Sequence, residues 1–290
     1  MPLVPRVASG LNCLELVTVL LQRARQEHPT AGLWEAADLQ WWWRQPRASD
    51  SIDQAFWVDG AEQPVGAVVF TDWGRTWGCD LIVVPSLADQ LMPAMWLRAV
   101  DRIGELSISD VEVLVADEDQ VLADLVTDAG LAATHQRDGT MWMDAATLSA
   151  VPPIPDRYRL GDRTEAGGRP HHMVPRSRSQ VAERLAQTSL YRTDLDLFIA
   201  TDTDAVAAYG LFWFDPSTGI GLVEPMRTED GHQGKGLGRH LLATGLERLA
   251  GLGATRLKVS YEIGNRRAQR LYTGAGFTPE STNTIYARRG

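Results

Sequence analysis

The sequence predicts a mixed α/β fold that is present twice, in tandem, along the chain. Apolar side chains alternate between residues 255 and 261, as in a strand, and recur at helical spacing between 237 and 249. A shift of 146 residues places both patterns on earlier segments, and LYTGAGF (271–277) then falls on LVTDAGL (125–131). Because a strand period and a helix period share one register, we interpret the chain as a duplicated fold.

Each copy is predicted to run strand, strand, strand, helix, strand, helix, strand. Glycines at 251 and 253 end the first helix of the second copy, and glycines at 274 and 276 end the second helix. Adjacent strands followed by crossover helices indicate helices layered on a mixed sheet. The strands of this copy are predicted near 196–201, 205–214, 219–226, 255–261 and 282–288, and its helices near 236–251 and 266–273.

A proline-rich segment separates the two copies. Pro152, Pro153 and Pro155 stiffen the chain and interrupt both helix and sheet pairing. With 290 residues, the chain is long enough for two domains that each bury a core. We therefore predict a first domain over 1–150, a linker over 151–155 and a second domain over 156–290.

The composition is that of a globular protein, with 44% hydrophobic and 22% charged residues. Apolar runs fall short of the roughly 20 residues that span a bilayer, and the first twenty residues lack a signal-peptide pattern. Cys13 and Cys79 are too few for a disulfide framework or a four-cysteine metal site. We expect a cytoplasmic protein that binds neither a membrane nor a metal.

The net charge of −9 is unevenly distributed. Residues 1–150 carry 9 basic and 22 acidic side chains, a balance of −13, whereas residues 151–290 carry 19 basic and 15 acidic ones, a balance of +4. Nucleic-acid binding needs clustered Lys and Arg, so the acidic half argues against it. We expect no nucleic-acid partner, and a monomer or a homodimer.

The segment DGHQGKGLGRHLL (230–242) places three glycines directly before a leucine-rich helix. A helix start has backbone N–H groups without internal partners and the positive end of the peptide dipole. Glycines there let the backbone approach an anion closely. This glycine loop, Gln233–Arg239, therefore predicts a phosphate site with the charges of Lys235 and Arg239 nearby.

Two common nucleotide motifs do not fit the glycine loop. The dinucleotide fingerprint needs a third glycine where Arg239 stands, and an early βαβ unit. A P-loop needs Ser or Thr after the lysine, but Gly236 follows Lys235. A solvated turn before a helix explains the loop alone equally well.

Two motifs together resemble those of the GNAT superfamily of N-acyltransferases. QGKGLG (233–238) fits the acyl-CoA pyrophosphate pattern [QR]-x-x-G-x-[GA], and NRRAQRLYTGAGF (265–277) resembles the family segment N-x-x-A-x-x-L-Y-x-x-x-G-F. Their spacing, with helix, strand and helix in order, is also similar to the family. The resemblance covers residues 156–290, whereas the first half has the pattern of elements without the motifs.

The resemblance implies acetyl-CoA as co-substrate and transfer of its acetyl group to a primary amine, expected on a small molecule, by direct attack in a ternary complex. It also implies a sheet that opens between strands 219–226 and 255–261, with pantetheine in the gap. The cofactor-binding positions of the family fall on Met226, Arg227, Thr228, Gln233, Gly234, Lys235, Gly236, Leu237, Gly238, Arg239 and Asn265, the last also a good helix N-cap.

Two side chains are candidates for proton transfer. By resemblance, Tyr272 occupies the position whose hydroxyl faces the CoA sulfur, so it is the expected general acid; packing in the core is the alternative. Glu224 lies among apolar residues on the strand before the glycine loop, where partial burial would raise its pKa toward that of a base. A structural carboxylate that accepts backbone hydrogen bonds explains Glu224 equally well.

Two other functions remain open. A non-catalytic acyl-CoA-binding regulatory module would need the glycine loop but not Tyr272. A protein N-acetyltransferase would present an open groove rather than a closed pocket. An acetyl group and a slightly longer acyl group fit the motifs equally.

The remaining polar candidates lie around the second copy. His171 and His172 do not share one face of a helix and have no Cys or acidic pattern nearby, so we expect a flexible loop rather than a zinc site. His232 and His240 flank the glycine loop and are expected to face solvent. Tyr191 is a candidate for the acceptor pocket. The arginines at 266, 267 and 270 fit either the CoA 3′-phosphate or a solvated helix face.

The first copy lacks the residues of the glycine loop. At the shift of 146, side chains replace the loop, and Tyr272 becomes Val126. We expect a degenerate copy that shapes or covers the active one, and one CoA per chain. Trp41–Trp43 cannot all point the same way on a helix, so we expect an interdomain contact, with ligand binding as the alternative. The other replacements are Gln233 by Leu87, Gly234 by Ala88, Gly236 by Gln90, Gly238 by Met92, Glu224 by Gly78 and Asn265 by Asp119.

Overall fold

The computed structural model describes residues 3–165 and 169–288. Its internal contacts group the chain into two compact units. The first unit consists of the chain up to Leu39, Pro46–Asp138 and the chain from Ser281 on, and the second of Gln40–Gln45 and Gly139–Glu280. Each unit contains a mixed sheet with helices, as the duplicated pattern predicts.

In each copy the last five strands and the last two α-helices follow the predicted order, but a further strand and two further α-helices, which the sequence analysis did not predict, precede them. The strands are β1 (Val4–Ala8), β2 (Gln54–Val58), β3 (Pro64–Asp72), β4 (Trp77–Val83), β5 (Val111–Ala116), β6 (Ala132–Asp144), β7 (Tyr158–Asp162), β8 (Asp196–Thr201), β9 (Val206–Asp215), β10 (Ile220–Thr228), β11 (Arg256–Glu262) and β12 (Thr278–Arg288). The α-helices are α1 (Gly10–Glu27), α2 (Ala36–Trp42), α3 (Ala88–Glu105), α4 (Gln120–Asp128), α5 (Val174–Ser177), α6 (Val181–Ala186), α7 (Leu237–Gly251) and α8 (Arg266–Ala275). No helix within the two described ranges is long and apolar enough to cross a membrane.

The two sheets have matching strand orders. In the first unit the order is β1-β2-β3-β4-β5-β12, and β4 and β5 are parallel. In the second unit the order is β6-β11-β10-β9-β8-β7, and β10 and β11 are parallel. In both orders the parallel pair lies in the interior of the sheet. There the last strand of the antiparallel hairpins, β4 or β10, pairs with the strand that follows a crossover helix, β5 or β11.

The final strand of each copy pairs in the sheet of the other copy. From Ser281 on, β12 belongs to the first unit, where it pairs antiparallel with β5. From Gly139 on, β6 belongs to the second unit. The contact units therefore differ from the predicted ranges 1–150 and 156–290 at these strands and at Gln40–Gln45, because strand pairing joins residues that are distant in sequence.

Each sheet opens beside its parallel pair. β10 and β11 pair from Ile220–Arg256 to Leu222–Lys258, and both strands then continue for several residues. In the first unit, β4 and β5 pair at Trp77–Val111 and Gly78–Glu112. The predicted gap between strands 219–226 and 255–261 is thus confirmed. Backbone groups along such a gap are available to a ligand.

Helix α7 packs closely on β9 because residue 245 is glycine. A Cβ on Gly245 would lie 2.1 Å from the Phe212 ring, so any side chain there would clash. Phe212, Leu241 and Leu246 are buried in the core that this packing forms. The packing holds the start of α7, and with it the glycine loop, against the sheet.

Candidate active site

The glycine loop has a backbone conformation that requires glycine. Gly234 has a φ of +75° and Gly236 a φ of +83°, in the left-handed region that side chains disfavour. Gly236 is also the N-cap of α7. A Cβ added at either glycine would meet no described atom within 4 Å. The backbone at the positive end of α7 thus faces open space, which fits the approach of a diphosphate.

Side chains on both sides hold the glycine loop in place. Gln233 donates through Nε2 to the Thr228 carbonyl at 3.3 Å and to Asp230 at 3.1 Å, and its Oε1 accepts from Arg267 at 2.6 Å. Lys235 donates through Nζ to the Gly231 carbonyl at 3.1 Å. Because these bonds preorder the loop, little conformational entropy remains to be lost when a ligand binds.

Tyr158, which the sequence analysis did not single out, also contacts the loop. Its hydroxyl accepts from Lys235 Nζ at 3.2 Å and lies 2.9 Å from His232 Nδ1. It begins β7, far from the motifs in sequence, so no local pattern identifies it. His232 is accordingly half-buried against Tyr158 rather than facing solvent, contrary to expectation.

A bulge in β10 places Glu224 beside the gap. The register with β9 shifts between Val223 and Met226, so Glu224 and Pro225 lie in the bulge. The Trp213 indole donates to the Glu224 carbonyl at 2.7 Å and fixes the backbone there. The following residues, Met226 to Thr228, pair again with β9. Their proposed contacts with pantetheine stay predictions.

Tyr272 is buried on α8 with 7% of its surface exposed, and its ring contacts Phe277 edge-on. Burial raises the pKa of its hydroxyl well above the usual value, and the nearby charge of Glu224 raises it further. The hydroxyl therefore stays protonated at neutral pH, the state that a general acid needs.

Asn265 caps α8 as predicted, because its side chain accepts from the Ala268 N–H at 3.1 Å. Asp119 caps α4 in the first unit in the same way, through the Leu122 N–H at 3.0 Å. The two caps stand 146 residues apart, so the duplication extends to hydrogen bonds. Whether Asn265 also contacts the cofactor stays a prediction.

The two adjacent histidines are buried beside Asp196, so the expectation of a flexible loop without an acidic partner is wrong. His171 Nε2 lies 2.8 Å and His172 Nε2 3.1 Å from the Asp196 carboxylate, and the Tyr191 hydroxyl donates to it at 2.9 Å. The acidic partner follows 24 residues after His172, at the start of β8, too far along the chain for a local pattern to reveal it.

This cluster has the residue types of a metal site, with ligand atoms within 4.8 Å of one another. However, His171 Nδ1 accepts from the Met173 N–H at 3.2 Å, which leaves the ring proton on Nε2, pointing at Asp196. Burial alone would raise the pKa of Asp196, but hydrogen bonds from His171 and His172 lower it to about 2. We interpret the cluster as a buried carboxylate that is held by hydrogen bonds with His171 and Tyr191, with His172 in close contact.

Tyr191 connects this cluster with the bulge in β10. Its ring lies edge-on to Trp213, with centroids 6.3 Å apart, and Trp213 donates to the Glu224 backbone. Tyr191 is therefore a supporting residue behind Glu224, and its predicted place in an acceptor pocket stays untested.

His240 is buried, not exposed to solvent as expected. Its Nδ1 lies 2.7 Å from the Pro152 carbonyl, which attaches the proline-rich segment to α7. The sequence placed it beside the glycine loop but did not reveal that the helix face at 240 points inward.

The tryptophan segment Gln40–Gln45 belongs to the second unit. The Trp43 indole donates to Gln187 at 2.9 Å, and the Arg184 guanidinium lies 3.6 Å from the Trp43 ring. The Arg44 guanidinium stacks 3.9 Å from the Trp41 ring. These contacts dock the segment on α6, so residues from the first half of the chain become part of the second unit.

The first unit has side chains where the second has the glycine loop. Met92 is buried at the position of Gly238, and Val126 is fully buried at the position of Tyr272. Helix α3 begins at Ala88, so these positions lie in regular helix rather than in a left-handed loop.

Comparisons with known proteins agree with this geometry. Residues 164–277 match the model of the acetyltransferase (GNAT) family. A curated relative from Kineococcus radiotolerans, named mycothiol acetyltransferase, is 35% identical over 91 residues, which cover 31% of this chain and 29% of the relative. One of the same name from Nocardioides sp. is 29% identical over 272 residues, covering 82% of this chain and 91% of the relative. The match to the first of these relatives thus spans less than a third of its length.

Solved structures show the same architecture. A tandem GNAT protein from the clavulanic acid biosynthesis pathway superposes with a TM-score of 0.71 at 16% identity, covering 99% of this chain and 98% of its own. A GCN5-related N-acetyltransferase from Sphaerobacter thermophilus gives 0.62 at 15% identity, covering 98% and 95%. At these identities the likeness shows the fold.

Proposed function

We propose that this chain, a tandem-domain member of the GNAT superfamily, transfers the acetyl group of acetyl-CoA to a primary amine of a small molecule. One observation carries the proposal. The glycine loop, with left-handed backbone at Gly234 and Gly236, opens at the start of α7, shortly after the strand that borders the gap in the sheet.

The residues of the second unit fit acetyl-CoA by charge and shape. Backbone N–H groups of the glycine loop would hold the diphosphate, with the exposed Lys235 and Arg239 adding positive charge. The backbone of Met226 to Thr228 would hold pantetheine along the gap. The acyl group would then lie near the bulge at Glu224. Acetyl-CoA supplies the activated thioester, and the chain supplies position and protons.

The proposed reaction forms one C–N bond and breaks one C–S bond. The amine nitrogen of the acceptor attacks the thioester carbonyl, and the thiolate of CoA leaves. Glu224 takes a proton from the amine, directly or through water, and Tyr272 donates its proton to the leaving sulfur. Glu224 then releases its proton to solvent, and Tyr272 takes up a proton from solvent. Both groups thus end the cycle in their starting protonation states.

The names of the relatives support a small-molecule acceptor. Both curated relatives described above carry the name mycothiol acetyltransferase, so desacetylmycothiol is the first acceptor to test. We propose the class of small amines rather than this compound, because the name of a relative does not define the acceptor of this chain.

The experiment measures free CoA released from acetyl-CoA with desacetylmycothiol and with a panel of small amines. Amine-dependent release that is lost in a Tyr272→Phe variant supports the proposal. Acetyl-CoA binding without transfer to any amine would indicate the non-catalytic binding module. Transfer to peptide amino termini but to no small amine would indicate a protein N-acetyltransferase.

A further inference from the structure

The first unit contains a cavity of about 320 Å³ at the opening between β4 and β5. Its wall is mostly apolar, with Leu21 from α1, Ile82 from β4 and Met92 from α3 among the lining side chains. The exposed residues Gly32 and Glu118 lie at its edge. The volume is at the lower end of the range for small-molecule sites and far exceeds that of a single water.

The carboxylate of Asp80 lies on this apolar wall. Asp80, with 8% of its surface exposed, lines the cavity and accepts a hydrogen bond from the Trp34 indole at 3.0 Å. A buried carboxylate on an apolar wall is costly unless a donor or a cation compensates its charge. The single neutral indole donor in this bond compensates only part of that charge.

The charges around the cavity disfavour an anionic ligand. Arg25 lines it, but its Nε donates to Glu35 at 3.1 Å and its Nη1 to the His28 carbonyl, so the guanidinium is directed at protein groups. Glu118 and Asp119 add negative charge. At the start of α3, where a diphosphate would lie, the Ser86 N–H already donates to Glu27 at 3.0 Å.

We propose that this cavity binds a small apolar amine, with the ligand ammonium paired to Asp80 and its hydrocarbon part against Leu21, Ile82 and Met92. The first unit would then be a ligand-binding module with a cationic ligand, whereas the second takes an anionic one. The proposal does not rest on acetyl transfer, because every residue in it lies in the first unit.

The site has a characteristic pH dependence. Burial raises the pKa of Asp80 to about 7, although the Trp34 hydrogen bond opposes this. The other titratable and charged groups around it are Arg25 with Glu35, the buried thiol of Cys79, and Glu118 with Asp119; α3 contributes the uncharged Ala88 and Met92. Because the ammonium binds the ionised carboxylate, affinity should fall about tenfold per pH unit below 7 and level off above it.

The test uses phenethylamine as probe, with 2-phenylethanol and phenylacetate as matched neutral and anionic controls, and calorimetry on the full chain. We expect phenethylamine to bind at least tenfold more tightly than either control at pH 8. Asp80→Asn, which keeps an acceptor for Trp34, should remove that preference and the pH dependence. Ala88→Trp, which fills the cavity from its half-exposed side, should abolish binding of all three probes.

A variant of the second unit separates this site from the proposed active site. Gly236→Asp should leave phenethylamine binding unchanged while it disrupts acetyl-CoA binding. Equal affinity for amine and alcohol, no amine binding at about 10 mM, or an amine affinity that survives both Asp80→Asn and Ala88→Trp would overturn the proposal. If Asp80→Asn fails to fold, the Ala88→Trp variant and the pH dependence of phenethylamine affinity in the parent still test the proposal.

Discussion

The two copies of the fold share their sheet opening and their helix caps but differ in the residues that a ligand would meet. At the opening of the second unit, the glycine loop has left-handed backbone, and Glu224 and the buried Tyr272 are the candidate catalytic groups. At the opening of the first, the same positions carry regular helix and Val126, and the cavity wall carries Asp80. The fold thus provides the gap, and a few side chains determine whether the gap suits an anionic or a cationic ligand.

The largest expected effect tests the glycine loop against its counterpart. Gly236→Asp should weaken acetyl-CoA binding by about 100-fold or more, since like charges near 4 Å repel by about 4 kcal/mol at an effective dielectric constant of 20. Gly236→Asn, of equal size and similarly tolerant of left-handed backbone, should lose much less. Gln90→Asp, the matched position in the first unit, should change nothing. Calorimetry with acetyl-CoA measures all three, and equal affinity in Gly236→Asp and the parent removes the loop from the site.

Neutralising the buried carboxylates of Asp80 and Asp196 should change the free energy of unfolding in opposite directions. The pKa of Asp80 is raised to about 7, so its contribution to stability is present below pH 4 and is lost as pH rises through 7. The pKa of Asp196 is lowered to about 2, so its contribution is present above pH 4 and is lost as pH falls toward 2.

Asp80→Asn should therefore raise, and Asp196→Asn lower, the free energy of unfolding at pH 8, each by about 2–4 kcal/mol at 1.36 kcal/mol per pKa unit. Urea unfolding at pH 5 and pH 8 measures both effects. Destabilisation by Asp80→Asn at pH 8 would show that the carboxylate is compensated inside the first unit and is not available to an ammonium.

Removal of the tyrosine hydroxyl should affect turnover alone. Tyr272→Phe keeps the ring and its packing, so kcat should fall by about 100-fold, at the lower end for general acid catalysis, while acetyl-CoA affinity stays constant. Val126→Ala, at the matching position of the first unit, should lower Tm without changing kcat of the folded fraction. If the folded Phe variant has an unchanged kcat, Tyr272 is not the general acid, and Glu224 and solvent carry out the proton transfers.

The smallest effect compares the two helix caps. Asn265→Ala and Asp119→Ala should each destabilise the protein by about 1 kcal/mol, because each leaves a helix N–H without its partner. If Asn265 also contacts the cofactor, its variant alone raises KM for acetyl-CoA. Equal KM values in the two variants confine Asn265 to capping.

The sequence predicted the glycine loop, the cap at Asn265 and the succession of the last five strands in each copy, because local backbone requirements and apolar periods depend on neighbouring residues. It did not predict the partner of His171 and His172, since Asp196 joins them only through the fold. Tyr158 was missed for the same reason. The tryptophan segment was expected in an interdomain contact, but its place in the second unit was not predicted. The inward face of His240 was missed because one position on a helix does not show which side is buried.

The central claim is that one of the two openings in the chain is built for acetyl-CoA. Calorimetric titration of the full chain with acetyl-CoA tests it most directly, because the stoichiometry counts the sites without any acceptor. We expect one acetyl-CoA per chain in the parent, and none in Gly236→Asp at the same concentrations. Two per chain, or one that persists in Gly236→Asp, would contradict it and assign acetyl-CoA binding to the first unit.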